Sequence, residues 1–376
     1  IHMKLKKLFA GVVAAAMIAT MSFPAFAATS GLGAQGFKVS NDGAFVFDKA
    51  WTTNDTSDHT IIAPNVALTM NVRNEGKPVT YPQGAIPANL VLNVTPNNNT
   101  DGNTTGFKVD LPDYSVPGKY TYILEETDPN VAGVVANNNL YQVTVWALQD
   151  ETNTARGNNI KECGVKLAQV QQVDGGYDEV TGKGKLSSVE NTYQAGSVTV
   201  TKHVTGNMGN KATKFNFKVV LESKKPVKSA VTGTGNKNFT FTTDKNADEF
   251  YTAEQTYQLA DGETFTISNL PFGVTYTVYE MSDETEHATP IKNGETLTVA
   301  EPGADSKVYK VTYTSETGTL SKETKDHLIE ASVTNQCGDN TIDTGVILDN
   351  APYILMLAVV AAGAMTLVIK KRREEE

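Results

Sequence analysis

The chain has 376 residues, with 32 Lys and Arg against 42 Asp and Glu, for a formal net charge of −10. So acidic a balance argues against nucleic acid or an anionic membrane surface as a partner. Two cysteines cannot build a zinc ribbon, and His59, His203, His287 and His327 lack metal-ligand spacing. No phosphate-binding loop, nucleophile elbow or dinucleotide fingerprint occurs, so the sequence implies neither a metal, a cofactor nor an enzyme of a familiar class.

In chain order, the first element is a targeting signal. Met3 reads as the natural start, with Ile1 and His2 ahead of it. Lys4, Lys6 and Lys7 form a positive region, Leu8 to Met21 is apolar, and Ala25-Phe26-Ala27 is a small-residue cleavage site. Secretion with cleavage between Ala27 and Ala28 is expected, so residues 1–27 are a signal peptide. The next elements are short alternating runs. Val66 to Val72, Leu140 to Trp146, Phe215 to Leu221, Phe239 to Phe241 and Val308 to Tyr313 predict strands separated by Asn, Asp, Gly and Pro clusters. Asn97 to Thr105 reads as a solvated polar loop, and the mature region shows no helical period. The predicted class is all-β, with two tandem immunoglobulin-like sandwiches over residues 28–194 and 195–340. Only ten residues separate Asn191 from Lys202, too few for a flexible linker, so a stiff tandem with its boundary near Tyr193 to Gly196 is expected. Cys163 and Cys337 fall in different domains and read as unpaired thiols. Residues 341–376 close the chain. There, Tyr353 to Ile369 is an apolar run of 17 residues, at the short end of a bilayer span. Lys370, Lys371, Arg372 and Arg373 follow it and keep that end cytoplasmic.

One set of residues is spelled twice. The first copy holds Phe45-Val-Phe-Asp-Lys49, Gly118 to Glu126, and Val189-Glu-Asn191. The second holds Val198-Thr-Val-Thr-Lys202, Gly273 to Glu280, and Val333-Thr-Asn335. Lys and Glu stand 77 positions apart in the first copy and 78 in the second; Lys and Asn stand 142 and 133 apart. Two copies of one domain follow. Strand side chains alternate between faces, so each lysine continues an apolar face, as do Glu126 and Glu280. Glu125 falls on the opposite side, and so does His203. Six polar groups therefore point toward two cores, where an unpaired charge is very costly. Burial lowers a lysine pKa and raises a glutamate pKa. The resulting neutral amine is a nucleophile. A protonated glutamic acid can bond the carboxamide oxygen of an asparagine and shuttle protons. Attack then expels ammonia and leaves a Lys–Asn amide. A buried ion pair, or a strand that ends at the rim, explains any one site alone; the repetition on matching faces favours the cross-link.

On these residues the mature chain resembles the shaft (backbone) pilins of Gram-positive bacteria built from two Cna protein B-type, immunoglobulin-like modules. The resemblance implies intramolecular isopeptide bonds Lys49–Asn191 and Lys202–Asn335, promoted by Glu126 and Glu280. It also gives meaning to Thr341-Ile-Asp-Thr-Gly345 ahead of the apolar run, which looks like a cell-wall sorting signal. A pilus sortase would cleave between Thr344 and Gly345 and hold the Thr344 carbonyl as a thioester. The first two residues depart from the leucine-proline form of that signal, which leaves the identity of the sortase open. The acceptor implied is a lysine shortly before the bonded asparagine, Lys185 first and Lys183 as the alternative. Trimming both ends leaves 25 basic and 38 acidic residues, a net −13 suited to an extracellular rod. The implied partners are further copies of the chain, the pilus sortase, tip or accessory pilins, and peptidoglycan reached through a housekeeping sortase. A monomeric wall-anchored adhesin with the same domains is the alternative function.

Overall fold

The computed structural model describes residues 37, 39–40, 42–54, 61–150, 160–283, 288–300 and 306–338. The cleavage site at Ala27 and Ala28, the Thr344–Gly345 bond and the apolar run 353–369 lie outside the described residues. The fold is all-β, and the described helical turns are three short 3-10 segments. Among the described residues no helix is long and apolar enough to cross a membrane. Two compact units divide the chain between Gln194 and Ala195.

The first unit holds β1 (Ala44–Thr53), β2 (Met70–Val72), β3 (Asn93–Asn98), β4 (Thr104–Asp110), β5 (Gly118–Glu126), β6 (Val134–Val135), β7 (Leu140–Gln149), β8 (Ile160–Val173), β9 (Gly176–Glu179) and β10 (Ser188–Tyr193). One sheet runs β3-β4-β1-β10-β6 and the other β2-β5-β7-β8-β9. The first and last strands, β1 and β10, are neighbours and parallel. Between the sheets lie Phe45, Phe47, Phe107, Tyr120, Tyr122 and Val143, all buried. Alternation along β1 and β5 places these side chains on the inner faces, and their burial drives the two sheets together.

The second unit holds β11 (Ala195–Thr205), β12 (Phe215–Ser223), β13 (Val231–Gly233), β14 (Lys237–Phe239), β15 (Tyr251–Leu259), β16 (Thr264–Pro271), β17 (Thr275–Met281), β18 (Pro290–Ile291), β19 (Thr296–Val299), β20 (Lys307–Thr314), β21 (Thr317–Thr319) and β22 (Leu328–Gln336). A seven-stranded sheet runs β14-β13-β16-β11-β22-β20-β19; the other runs β15-β12-β17-β18, with β21 also on β17. Here too the first and last strands, β11 and β22, pair in parallel. Strand β12 alternates buried and half-buried without a break, the pattern of a sheet with one wet face.

Three expectations are corrected locally, the shortest being the strand over Phe239 to Phe241, since β14 ends at Phe239. The strand expected over Val66 to Val72 is regular only at Met70–Val72, because the Leu68 N–H is taken by the Thr104 hydroxyl at 2.9 Å and not by a neighbouring strand. The polar segment Asn97 to Thr105 is the tip and both shoulders of the β3–β4 hairpin. Its tip is held by Asn99, whose side-chain oxygen accepts from the Asp101 and Asn103 N–H groups.

Candidate functional site

Lys202 enters the core because β11 alternates Val198, Val200, Lys202 on one face. Asn335 reaches the same place from β22. In the parallel register Lys202 opposes Val333 and Val204 opposes Asn335, so the two side chains share a face, one step apart on adjacent strands. Glu280 arrives from β17 in the other sheet. Lys202, Glu280 and Asn335 are each 0 % exposed. The Asn335 amide nitrogen donates to Glu280 Oε1 at 2.5 Å, and Lys202 Nζ stands 3.8 Å from Glu280 Oε2. The ammonium also donates to the His203 carbonyl at 3.1 Å and lies 4.3 Å from the Phe215 ring centre. His203 itself is exposed, on the opposite face. Burial pulls Lys202 below the ordinary lysine range, against the attraction of Glu280. Burial likewise pushes Glu280 up, against the attraction of Lys202 and the Asn335 hydrogen bond. Both shifts favour moving the proton from the amine to the carboxylate. Tyr313 fixes the strand beneath: its hydroxyl accepts from the Glu280 N–H at 2.9 Å and donates to the Ile291 carbonyl at 2.7 Å.

The first unit repeats the arrangement. Lys49 opposes Val189 and Trp51 opposes Asn191 in the parallel β1–β10 register, the same offset as in the second unit. Glu126 comes from β5 in the facing sheet and is buried, as is Asn191. The Asn191 amide nitrogen donates to Glu126 Oε1. Lys49 is half-buried where the sequence placed it in the core, because burial falls off along β1 beyond Phe47. Its ammonium lies 4.2 Å from the Trp51 ring centre and donates to the Ala50 carbonyl. Burial pushes Lys49 down to about 8, against the attraction of Glu126 and Glu190. Glu126 is raised by burial, and the Asn191 hydrogen bond offsets part of that rise. Glu125 turns outward to an Arg73 ion pair at 2.6 Å.

The structure thus brings all three residues together in the second unit; in the first, Glu126 and Asn191 meet, while the Lys49 ammonium lies against Trp51 and the Ala50 carbonyl and feels Glu126 only electrostatically. Besides the shallower Lys49, it differs from the sequence reading at the acid: each glutamate faces the amide nitrogen and not the carboxamide oxygen. An ionised carboxylate only accepts, so it turns to the amide's donor end. A residue the sequence did not single out also enters the first site. Asn137, buried in the loop between β6 and β7, donates to Asn191 Oδ1 at 3.2 Å. Nothing in strand parity marks a loop residue, and the three consecutive asparagines Asn137 to Asn139 look like turn chemistry. Of the acceptor candidates, Lys183 is exposed and Lys185 half-buried. Cys337 is buried and unpaired, while the Cys163 side chain lies outside the described residues. Among the described residues no cluster of His, Cys, Asp and Glu could hold a metal.

Residues 196–289 match a family model described as a domain of unknown function, DUF7601. That span carries Lys202 and Glu280. Over 264 residues the chain is 28 % identical to a protein named Pilin from Streptococcus pyogenes serotype M1, covering 69 % of each. Among solved structures, the major pilin T3.2 of S. pyogenes overlaps 80 % of this chain and 99 % of its own, with 20 % identity and a TM-score of 0.44. Another major pilin from S. pyogenes overlaps 78 % and 98 %, with 19 % identity and a TM-score of 0.42. By its sequence, the chain is a relative of a Gram-positive pilin.

Proposed function

We infer that the chain is a structural subunit of a covalently assembled surface pilus, with each domain closed by a self-formed Lys–Asn amide. The observation that carries this reading is the joint burial of Lys202, Glu280 and Asn335 on the first, central and last strands of a sandwich, with buried Glu126 and Asn191 and half-buried Lys49 at the same strand positions in the first unit. Unpaired burial of such groups is costly, and an ion pair in that setting adds little stability by itself. Reaction removes the cost. The glutamate first takes a proton from the lysine, leaving a neutral amine. The Nζ lone pair attacks the asparagine Cγ, forming the Nζ–Cγ bond. The Cγ–Nδ2 bond breaks, the glutamic acid supplies the proton Nδ2 needs, and ammonia leaves. The second proton lost from Nζ then passes to the glutamate, which began as the carboxylate and ends as the acid. One carboxylate oxygen on the leaving nitrogen and the other toward the amine, as around Glu280, suits that relay.

The parallel pairing of first and last strands gives the bond a mechanical purpose. Pulling on the two ends loads a covalent amide and not a zipper of hydrogen bonds. A sortase would join Thr344 of one subunit to Lys185 or Lys183 of the next, and the mature chain would stand on the cell surface, anchored to peptidoglycan. Boiling a surface extract in SDS tests this assembly. A ladder of high-mass species that collapses with Thr344→Ala supports the fibre; a single wall-bound species would replace it with a monomeric adhesin.

A further inference from the structure

The two sites are not equivalent, and the difference lies at the carbonyl oxygen under attack. In the second unit Asn335 Oδ1 is buried without a hydrogen-bond partner among the described residues. In the first, Asn191 Oδ1 accepts from Asn137 Nδ2 at 3.2 Å. The topology explains the contrast. Strand β10 is flanked by β6, and the loop after β6 folds Asn137 over Glu190 and Asn191. Strand β22 is flanked instead by β20, with Val311 opposite Asn335.

Asn137 cannot present its other end to the site. Its Oδ1 accepts from the Asn139 backbone N–H at 3.2 Å, a group that only donates. Its Nδ2 donates to the Glu190 carbonyl at 3.3 Å, a group that only accepts. The Tyr141 hydroxyl, 3.0 Å from Nδ2, completes the cradle. With that amide fixed, the orientation of Asn191 follows. Turned over, Asn191 would set nitrogen against nitrogen at Asn137 and oxygen against oxygen at Glu126. Asn137 therefore aims the Asn191 oxygen at a donor and its leaving nitrogen at the acid.

We propose that Asn137 is a catalytic hydrogen-bond donor for closure of the first domain, stabilising the charge that gathers on Asn191 Oδ1. The inference rests on the cross-linking reading above. As the Lys49 Nζ–Asn191 Cγ bond forms, the carbonyl electron pair moves onto Oδ1. It returns as the Cγ–Nδ2 bond breaks and ammonia departs with the proton relayed through Glu126. A preorganised donor at that oxygen acts in the transition state and needs no proton of its own. The second domain closes without such a donor, with Glu280 acting at the leaving nitrogen and no partner at the Asn335 oxygen among the described residues.

Freshly synthesised full chain, sampled over time by peptide mapping, tests the proposal, with the Lys202–Asn335 link as internal control. Asn137→Ala slows the Lys49–Asn191 link about a hundredfold, the usual effect of deleting one such donor, and leaves the other link at its parent rate. Asn137→Asp keeps the volume and the Asn139 contact but lacks the donor; it slows the same link to a similar degree. Because both variants also lose the Glu190 and Tyr141 contacts, urea unfolding of the first domain is measured beside the rate: slowing beyond any loss of stability supports the proposal, while parent-rate closure in either variant, or slowing only in proportion to lost stability, overturns it. Loss of both links from the parent chain would instead defeat the cross-linking reading, and this inference with it.

Discussion

Lys202 Nζ and Glu280 Oε2 stand 3.8 Å apart, and neither side chain is exposed to solvent. A carboxamide lies beside this buried pair, since Asn335 donates to Glu280. Desolvation destabilises both ions, so the neutral amine and neutral acid that acyl transfer requires lie energetically near the charged pair. On the proposed reading, the burial that makes the site expensive is also what would make it reactive.

The first prediction concerns mass. The folded mature chain should weigh less than its sequence by two molecules of ammonia. Glu126→Ala and Glu280→Ala should each restore one, because each removes the relay from one domain only. Intact-mass measurement with peptide mapping reads this directly. Recovery of Lys49, Asn191, Lys202 and Asn335 as unmodified side chains from folded protein would refute the cross-links.

The second concerns pH. Closure of the first domain needs Lys49 neutral and Glu126 protonated at once. Above about 8, where Lys49 is already neutral, each further rise in pH strips the proton from Glu126, so the rate falls. Below the raised range of Glu126, the acid is fully protonated while the neutral amine becomes scarcer, so the rate falls again. A bell-shaped or flat-topped profile is expected for newly made chain held at fixed pH. A rate that climbs steadily past pH 9 would show that Glu126 need not be protonated.

What strand alternation could reveal, the sequence revealed. Lys202 and Glu280 interrupt apolar faces at period two, and a sheet face is either buried or not, so parity sufficed to send both inward, while the repeated order of the set grouped them. The outward turn of Glu125 and His203 followed from the same rule. The depth of Lys49 did not, since burial along one strand depends on what lies over its end. Asn137 was invisible for a stronger reason: a loop residue acquires its partners through the tertiary path of the chain, here the pairing of β6 with β10. The strand expected at Val66 failed because a threonine hydroxyl can substitute for a ladder bond.

The third prediction is a stability difference. Asn191→Ala and Asn335→Ala should fold but lack one link each. Each link closes a loop of well over a hundred residues, and the chain-entropy model assigns such a closure about 4 to 5 kcal/mol. Urea unfolding of the affected domain should shift by that amount, with trypsin resistance falling in parallel. An unchanged midpoint would mean that the pairing of first and last strands is already stable without the bond.

A fourth tests the backbone approach that makes this pairing possible. Gly196 opens β11 where the chain runs against the segment entering β22, and an added Cβ would sit 2.1 Å from the His327 carbonyl oxygen. Gly196→Ala must push that backbone away, at about 1 to 3 kcal/mol for overpacking. Thermal unfolding of the second domain reports it. A variant with unchanged unfolding would show that the segment before β22 yields freely.

The last prediction addresses the intersubunit link. Lys185 lies six residues before Asn191, in the segment whose neighbours Leu186 and Ser187 bond to β8 and β1. An acceptor amine there would be held at a fixed distance from the strand that bears the pulling load. Lys183 instead rides between Gly182 and Gly184, both at positive φ, on an exposed turn. Lys185→Ala should collapse the SDS-resistant ladder and leave both internal links intact, since neither site involves that side chain. Should the ladder survive, Lys183→Ala is the variant expected to remove it, and the anchored strand would give way to the exposed turn as the point of attachment. Survival of the ladder in the double variant would move the acceptor out of this segment altogether.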